Sequence, residues 1–574
     1  MSEMKGNGGN MENDGVKQLS IKSRILIGVI LFLLLSANLL YWGSRKEGFF
    51  CDELYSYHFT SQLQYPYLVA DRENETWLNQ WHSSDYFQDY LTLTKEEVFD
   101  FSGVWKTIIA DVHPPFFYLL LNFSSSVFSM IFPGIFTKWS GIFVNIWFFM
   151  MTMYFLWKLS KEVTESDFWS VMVCILYGFS AGAVSTVVFI RMYMVFTCFA
   201  VLFTYLNALL WKAVWMKDKK ENGWIYPLLS LTAFMGIMTQ YYFLIYAFFI
   251  CIVIWGYSLW RRNYFFAVKY AVSMGVSIAA VCLIWSDILN DIFSGYRGEE
   301  AFGNLAAGEG WFTALPQLFA VIDGELFGKG ALLLLAFAVG LLFYRVLSVW
   351  WSIKKSTAED GSIHILLEKR ERRTEFELRF TMQDIIFVQI LAAVFLYIVL
   401  ISKIAPYKED RYVFPIFPMI ILLVVFLAKK LTAGMVKNVT YAVCIVMLGC
   451  MLLGYLSPGV NYLYRGTKER LNTVSMYSDL PVFYITSGSS YRACGESVYF
   501  SKAKHTYPVR GELLGVIPEA LQAIDDGEKS GCLFYIDLNY ENQDVLVQEI
   551  SVMFSGRQMR YLFDTEYSAV YIIE

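Results

Sequence analysis

Along most of this chain apolar residues fall in long runs rather than in short periods. Runs able to cross a hydrocarbon core of about 30 Å, which takes about 20 helical residues, lie near 24–43, 139–157, 168–189, 193–211, 224–241, 243–260, 266–288, 330–350, 383–403, 412–428 and 438–456. Each predicts a membrane-spanning helix, eleven in all, within a body covering 24–456. One more apolar run, Pro115 to Phe132, closes a long polar loop (44–138) and predicts either another span or a helix lying at the interface. Residues 1–23 are polar and rich in Gly and Asn, which predicts a disordered tail. The run from Ile25 to Trp42 exceeds a signal-peptide core and predicts a retained anchor. After Ser457 the pattern changes to short β-type runs at Val482–Thr486, Leu533–Leu538 and Ala569–Ile573 with a helical stretch at Pro518–Asp526, a small α/β domain over 457–574.

Charge decides how the twelfth run is read. Lys and Arg in short loops collect on the cytoplasmic side of a membrane. With Pro115–Phe132 at the interface, six blocks share one side. They are Lys17/Lys22/Arg24, Lys158/Lys161, Lys212 with Lys217/Lys219/Lys220, Arg261/Arg262, Lys354/Lys355 with 369–373, and Lys429/Lys430 with Lys437. If that run spans, every later block is reversed, so the interfacial reading is preferred and the N-terminus is cytoplasmic. The opposite, extracytoplasmic side then gathers the first loop, the turns Arg191-Met192-Tyr193 and Thr239-Gln240-Tyr241-Tyr242, the acidic stretch 287–328, the turn Ala405–Tyr412 and everything after Ser457.

Composition agrees: of 574 residues, 56% are hydrophobic and only 17% charged, the balance of a polytopic membrane protein. A net charge of −5 offers no basic surface for nucleic acid. Six of the nine cysteines (Cys174, Cys198, Cys251, Cys282, Cys444, Cys450) fall in apolar runs and read as small buried hydrophobes. No CxxC or Cys/His spacing suggests structural zinc; a Cys494–Cys532 disulfide is compatible with an extracytoplasmic C-terminal region.

Four polar clusters interrupt the apolar pattern. Cys51-Asp52-Glu53-Leu54-Tyr55-Ser56-Tyr57 puts two adjacent carboxylates where the first helix leaves the bilayer. Asp111-Val112-His113-Pro114-Pro115 sets a His and a carboxylate on a turn pinned by two prolines, which stiffen the entry to the following helix. Arg191-Met192-Tyr193 lies between two apolar runs, where an arginine is costly unless paired or snorkelling. Pro406-Tyr407-Lys408-Glu409-Asp410-Arg411-Tyr412 places two cations in a short turn on the side where topology gives no reason for them. The plain account of that turn is a self-neutralising loop of exposed ion pairs. The stretch Ser487-Gly488-Ser489-Ser490 is too short a signal for a phosphate loop, and the C-terminal domain reads as a lid or docking domain.

In order and in side, these clusters resemble the motifs of GT-C integral-membrane glycosyltransferases such as protein O-mannosyltransferases and aminoarabinose transferases. Asp52-Glu53 resembles the Asp-Glu pair that opens their first extracytoplasmic loop. His113-Pro114-Pro115-Phe116-Phe117-Tyr118 is similar to a His-Pro-Pro-Leu-Tyr-Tyr signature, with Phe116 in place of Leu, and Arg191-Met192-Tyr193 to an Arg-x-Tyr element. Arg411-Tyr412 with Pro415 and Pro418 matches Arg-Tyr-x-x-Pro-x-x-Pro. The resemblance implies a polyprenyl-phosphate-linked sugar as donor, Asp52 as general base, and Glu53 binding the acceptor or orienting Arg191. It further implies Arg191, His113, Lys408 and Arg411 about the donor phosphate, with Asp111, Tyr55, Tyr193, Tyr242, Tyr407 and Tyr412 lining the site. If a divalent cation is bound at all, Asp52, Asp111 and His113 are its ligands. The sugar and the acceptor, whether protein, lipid or cell-wall polymer, are not implied. Two other classes stay open: a transporter or flippase of lipid-linked sugars, and a non-catalytic envelope-assembly protein that binds through its C-terminal domain.

Overall fold

A computed structural model describes residues 20–61, 77–109, 111, 113–215, 222–307, 311–357, 363–369, 381–488, 490–524, 531–554 and 557–573. Residues 1–19 of the expected disordered tail, Lys17 among them, and Lys217, Lys219 and Lys220 lie outside the described residues, as does most of the basic run 369–373; the end of that tail, residues 21–23, is instead the first turn of a helix capped by Ser20, which accepts from Ser23 N at 3.1 Å. The chain is a multi-pass membrane protein: among the described residues seven helices are long and apolar enough to cross a bilayer, and nine spans result if each of two bent pairs counts as one. This falls short of the eleven expected, for physical reasons that differ by site. The 168–189 run is broken into helices Asp167–Gly178 and Ala181–Val188, bent by 55°, where Ser180 caps the second by accepting from Ala183 N at 3.1 Å. The run at 330–350 is the second arm of a pair, 313–327 and 331–347, bent by 80° at Gly328, whose φ is +57°. The helices Ile225–Ile237 and Lys437–Leu453, with 13 and 17 residues, are shorter than the spans expected there. Phe116–Ile131 forms a helix of 16 residues, about 24 Å at 1.5 Å per residue, shorter than a hydrocarbon core.

Long helices carry charge clusters at opposite ends. Trp139–Thr164, about 39 Å long at 1.5 Å per residue, starts beside Tyr57, whose hydroxyl accepts from Gly141 N at 3.2 Å. It ends where Lys161 and Arg24 both meet Asp167, at 2.6 and 3.0 Å. Lys212 with Glu162 and Lys430 with Asp384 belong to that same end. The first helix, Ile21–Arg45, likewise runs from Arg24 to Lys46 at the Asp52 end.

The C-terminal region folds around a six-stranded sheet. Its three central strands, His505–Arg510, Val482–Thr486 and Cys532–Asp537, are parallel, with Ser568–Ile573 and Met559–Asp564 added antiparallel beyond Cys532–Asp537. The other edge is filled by His82–Ser83 from the first loop, antiparallel to His505–Arg510. That loop also supplies Cys51, Leu54, Phe87 and Tyr90 to the hydrophobic layer on one face of the sheet, with Tyr484, Cys494 and Tyr535. Loop and domain therefore form one packed unit. The opposite face, with Phe483, Cys532 and Phe534, is covered by Ile517 and Ile550. Cys494 and Cys532 consequently lie on different faces and are free thiols, so the disulfide that the sequence left open is not formed; Cys494 instead accepts from the Tyr90 hydroxyl at 2.9 Å. Cys251 and Cys282 are only half-buried.

Candidate active site

The four polar clusters converge at the Lys46 end of the first helix. Helix Cys51–Ser61 begins with the two carboxylates in its first turn, where the exposed N–H groups of a helix start favour negative charge. They face different surroundings. Glu53 is fully buried: its Oε2 accepts from Lys46 Nζ at 2.9 Å and Phe50 N at 2.7 Å, and its Oε1 from Ile190 N at 2.7 Å. Burial pushes its carboxyl up, opposed by Lys46 and the two amides. Lys46, also fully buried, donates in addition to Tyr462 O at 2.7 Å and sits against the rings of Phe49 and Tyr464. Asp52 keeps 24% of its side chain exposed; its Oδ2 accepts from Arg411 Nη1 at 2.7 Å, and among the described residues its Oδ1 has no hydrogen-bond partner.

Arg191 stands in the break between helices Ala181–Val188 and Tyr193–Trp215. A helix end inside a protein leaves carbonyls and amides that must find partners. Here Asn145 Nδ2 donates to Val187 O at 3.0 Å and Phe189 O at 2.7 Å, and Glu53 takes the Ile190 amide. So held, the buried Arg191 Nη1 donates to Asp52 O (3.1 Å), Ser56 Oγ (2.9 Å) and Tyr118 Oη (3.2 Å). Glu53, whose oxygens are taken, does not orient Arg191 by a hydrogen bond.

The Pro114-Pro115 turn enters the Phe116–Ile131 helix as the residue types dictate, and Phe116 N is tied to Met238 O at 3.0 Å. His113 Nδ1 lies 2.5 Å from Asp111 Oδ2, and its Nε2 lies 3.3 Å from Arg191 Nη2. A guanidinium can only donate. Nε2 is therefore the acceptor, and Nδ1–H donates to Asp111: a neutral imidazole oriented by a carboxylate. Asp52 is engaged with Arg411 and not with this dyad, and among the described residues no three His, Cys, Asp or Glu side chains converge as a metal set. Asp52, Asp111 and His113 thus do not meet as one ligand group.

In the fourth cluster, Asp410–Tyr412 forms a 3₁₀ turn. Arg411, 6% exposed, bridges Asp52 and Glu409 Oε2 (2.9 Å) and lies over the rings of Phe50 and Tyr412, each 5.3 Å from the guanidinium carbon. The ring of Tyr412 meets those of Tyr193 and Tyr242 edge-on at 6.3 and 5.6 Å, so these three tyrosines form one wall. Tyr407 is exposed beside Arg411, at 5.9 Å. Lys408 is turned into its own loop, donating to Ala405 O at 2.6 Å. Tyr55 faces the C-terminal domain, its ring 6.2 Å from that of Tyr491, whose carbonyl accepts from the Cys51 thiol at 2.9 Å.

Lys46, Asn145, Asn461, Tyr462 and Tyr491 were not singled out from the sequence. Two had a usable signal: Lys46 is a cation at the margin of an apolar run, and Asn145 is a polar residue inside one. No family model and no curated protein matches the chain. Solved structures similar to it include ArnT from Cupriavidus metallidurans bound to undecaprenyl phosphate, at 10% identity and a TM-score of 0.47, covering 96% of this chain and 98% of that one. The oligosaccharyltransferase of Archaeoglobus fulgidus in the apo form is similar at 10% identity and a TM-score of 0.45, over 87% of this chain and 66% of that one.

Proposed function

We propose that this chain is a membrane glycosyltransferase of the GT-C type, moving a sugar from a polyprenyl-phosphate donor to an acceptor hydroxyl on the extracytoplasmic side of a cell membrane. The observation that carries the reading is Asp52, with one oxygen held by Arg411 at 2.7 Å and the other open, between two buried guanidiniums at the mouth of a helical body. The acceptor oxygen attacks the anomeric carbon as the bond from that carbon to the phosphate oxygen breaks. Asp52 Oδ1 takes the acceptor's proton, and the charge developing on the polyprenyl phosphate is met by Arg411 and Arg191. His113, neutral and held by Asp111, keeps Arg191 aimed. Tyr193, Tyr242 and Tyr412 form the apolar wall that excludes water. A phosphate reaching Arg411 competes with Asp52 for it, so donor binding frees the base. Glu53 serves here as an internal anchor. A lipid-borne donor accounts for a site at helix ends rather than in the α/β domain.

Purified protein incubated with a panel of isotopically labelled polyprenyl-phosphate sugars is expected to consume one of them and pass the label to an acceptor. Asp52→Asn, nearly constant in shape, should lower transfer by about 10²–10⁴-fold, the usual worth of a general base, with expression unchanged. Turnover above about a tenth of wild type rules Asp52 out as the base.

A further inference from the structure

The segment that joins helix Lys437–Leu453 to the α/β domain forms a strap that touches the Asp410 turn directly and reaches the surroundings of Glu53 and Arg191 through Lys46 and Phe189. Asn461 N donates to Ser185 Oγ at 3.0 Å, and its Nδ2 donates to Asp410 Oδ2 at 2.9 Å and to the buried Glu325. The Tyr462 hydroxyl donates to Asp410 Oδ1, its ring stacks on Phe189 at 4.0 Å and 19°, two residues from Arg191, and its carbonyl accepts from Lys46. Tyr462 has φ +63°, a left-handed conformation that a tyrosine keeps only where its surroundings over-determine it.

We propose that Asn461 and Tyr462 are positioning residues for the phosphate clamp, holding Asp410 so that the backbone of Arg411 aims its guanidinium at Asp52. Asp410 is the pivot: 9% exposed, it accepts from Asn461, from Tyr462 and from Arg411 N at 2.7 Å, and Val413 N closes the turn on its carbonyl at 2.9 Å. With one carboxylate fixed by two side chains from the strap, the Arg411 Cα cannot rotate without breaking bonds to a buried acid. The Arg411 side chain itself has only Asp52 and Glu409 as ion-pair partners among the described residues, both partly exposed and both able to release it to an incoming phosphate. The strap therefore supplies rigidity where the clamp's own contacts are exchangeable. Its direct continuation into the α/β domain ties the seating of that domain to the geometry at Asp52.

This inference rests on Arg411 acting as the phosphate clamp, and a double-mutant cycle separates the two. The readout is equilibrium binding of a radiolabelled polyprenyl monophosphate, without sugar, to the full chain in detergent. Tyr462→Phe, which deletes one hydroxyl at constant ring shape, and Asn461→Ala are each expected to weaken binding by about tenfold, as expected for loss of a hydrogen bond to a charged group. Arg411→Ala should weaken it at least as much, and either strap substitution added to Arg411→Ala should cost nothing further, because the group it positions is gone. A merely structural strap would lower affinity additively in the Arg411→Ala background, and that result overturns the proposal. So does wild-type affinity in Tyr462→Phe and Asn461→Ala beside an impaired Arg411→Ala. Wild-type affinity in Arg411→Ala instead removes the clamp, and the strap's role with it, leaving the Asp52→Asn transfer assay to decide the rest.

Discussion

Replacing Glu53 tests which carboxylate of the pair does chemistry. The side chains of Glu53 and Lys46 are both fully buried, and the carboxylate carries three donors: one ammonium and two backbone amides. Glu53→Gln keeps the shape and one carbonyl acceptor but leaves the Lys46 charge buried without a counter-charge. Breaking a buried pair in this way costs about 3–5 kcal/mol, a large fraction of the about 5–15 kcal/mol that typically holds a domain together. The amide of Ile190 is also at stake, and it sits next to Arg191, so the same substitution loosens the seat of that arginine. Thermal unfolding of the purified protein in detergent should show Glu53→Gln strongly destabilised. Lys46→Met combined with Glu53→Gln should recover part of the loss, with a coupling of about 0.5–3 kcal/mol for residues in direct contact. Transfer activity should follow the folded fraction. A Glu53→Gln protein that melts like wild type yet transfers no sugar refutes this reasoning, because it would make Glu53 a group that touches substrate despite having no exposed oxygen.

Arg411→Lys keeps the charge but loses the planar fork that can meet two phosphate oxygens, so donor turnover should fall steeply, whereas Glu409→Gln, which removes a half-exposed ion pair, should change it little; equal turnover in the two variants would reduce the loop to a connector. For sidedness, Glu165→Cys should be protected from an impermeant thiol reagent in intact cells and Lys504→Cys labelled, the native cysteines near both being buried; reversed labelling would put the Phe116–Ile131 helix across the membrane. Glu496, fully buried in the α/β domain, is pushed by burial from 4.5 to about 8. Its folded form therefore holds a proton that the unfolded chain releases above about 4.5, and this contribution to stability is lost as pH rises through that window, by about 1.4 kcal/mol per pH unit at most. Melting curves across pH should show that slope in wild type and a flatter one in Glu496→Gln; parallel curves would mean Glu496 is already ionised in the fold.

The candidate positions were legible because each breaks a rule that the rest of the chain obeys. Asp52, Arg191 and Arg411 are charges at the margins of apolar runs, and His113 is fixed by prolines, so local sequence alone picks them out. Their partners were not legible, since pairing is a tertiary property. Arg411 reaches Asp52 across 359 positions, and nothing in the sequence favoured it over Arg191 as the carboxylate's ion-pair partner. The bend inside the 168–189 run was missed because Gly178-Phe179-Ser180 interrupts hydropathy too briefly to register, while the backbone needs only one capping hydroxyl to turn; the bend at Gly328 precedes the 330–350 run, and its first arm lies in the stretch read as acidic loop. The edge strand His82–Ser83 is two residues long and has no pattern to read.

Lys46 shows where the rule itself needs a second measurement. It is a cation at the margin of an apolar run, as Lys408 and Arg411 are, and by charge alone it qualifies equally for the phosphate. Burial separates them. The Lys46 ammonium has no exposure and is fully occupied by Glu53, Tyr462 O and two rings, so it cannot reach a ligand. Arg411 hydrogen-bonds Asp52 and ion-pairs with Glu409, which are 24% and 41% exposed and can be exchanged for a phosphate. Lys408 spends one donor on its own loop at Ala405. A cation out of place in the sequence thus marks either an anchor or a clamp, and the exposure of its acidic partner tells which. By that criterion Arg411 is the one of the two that suits the proposed clamp, and Lys46 is an internal anchor.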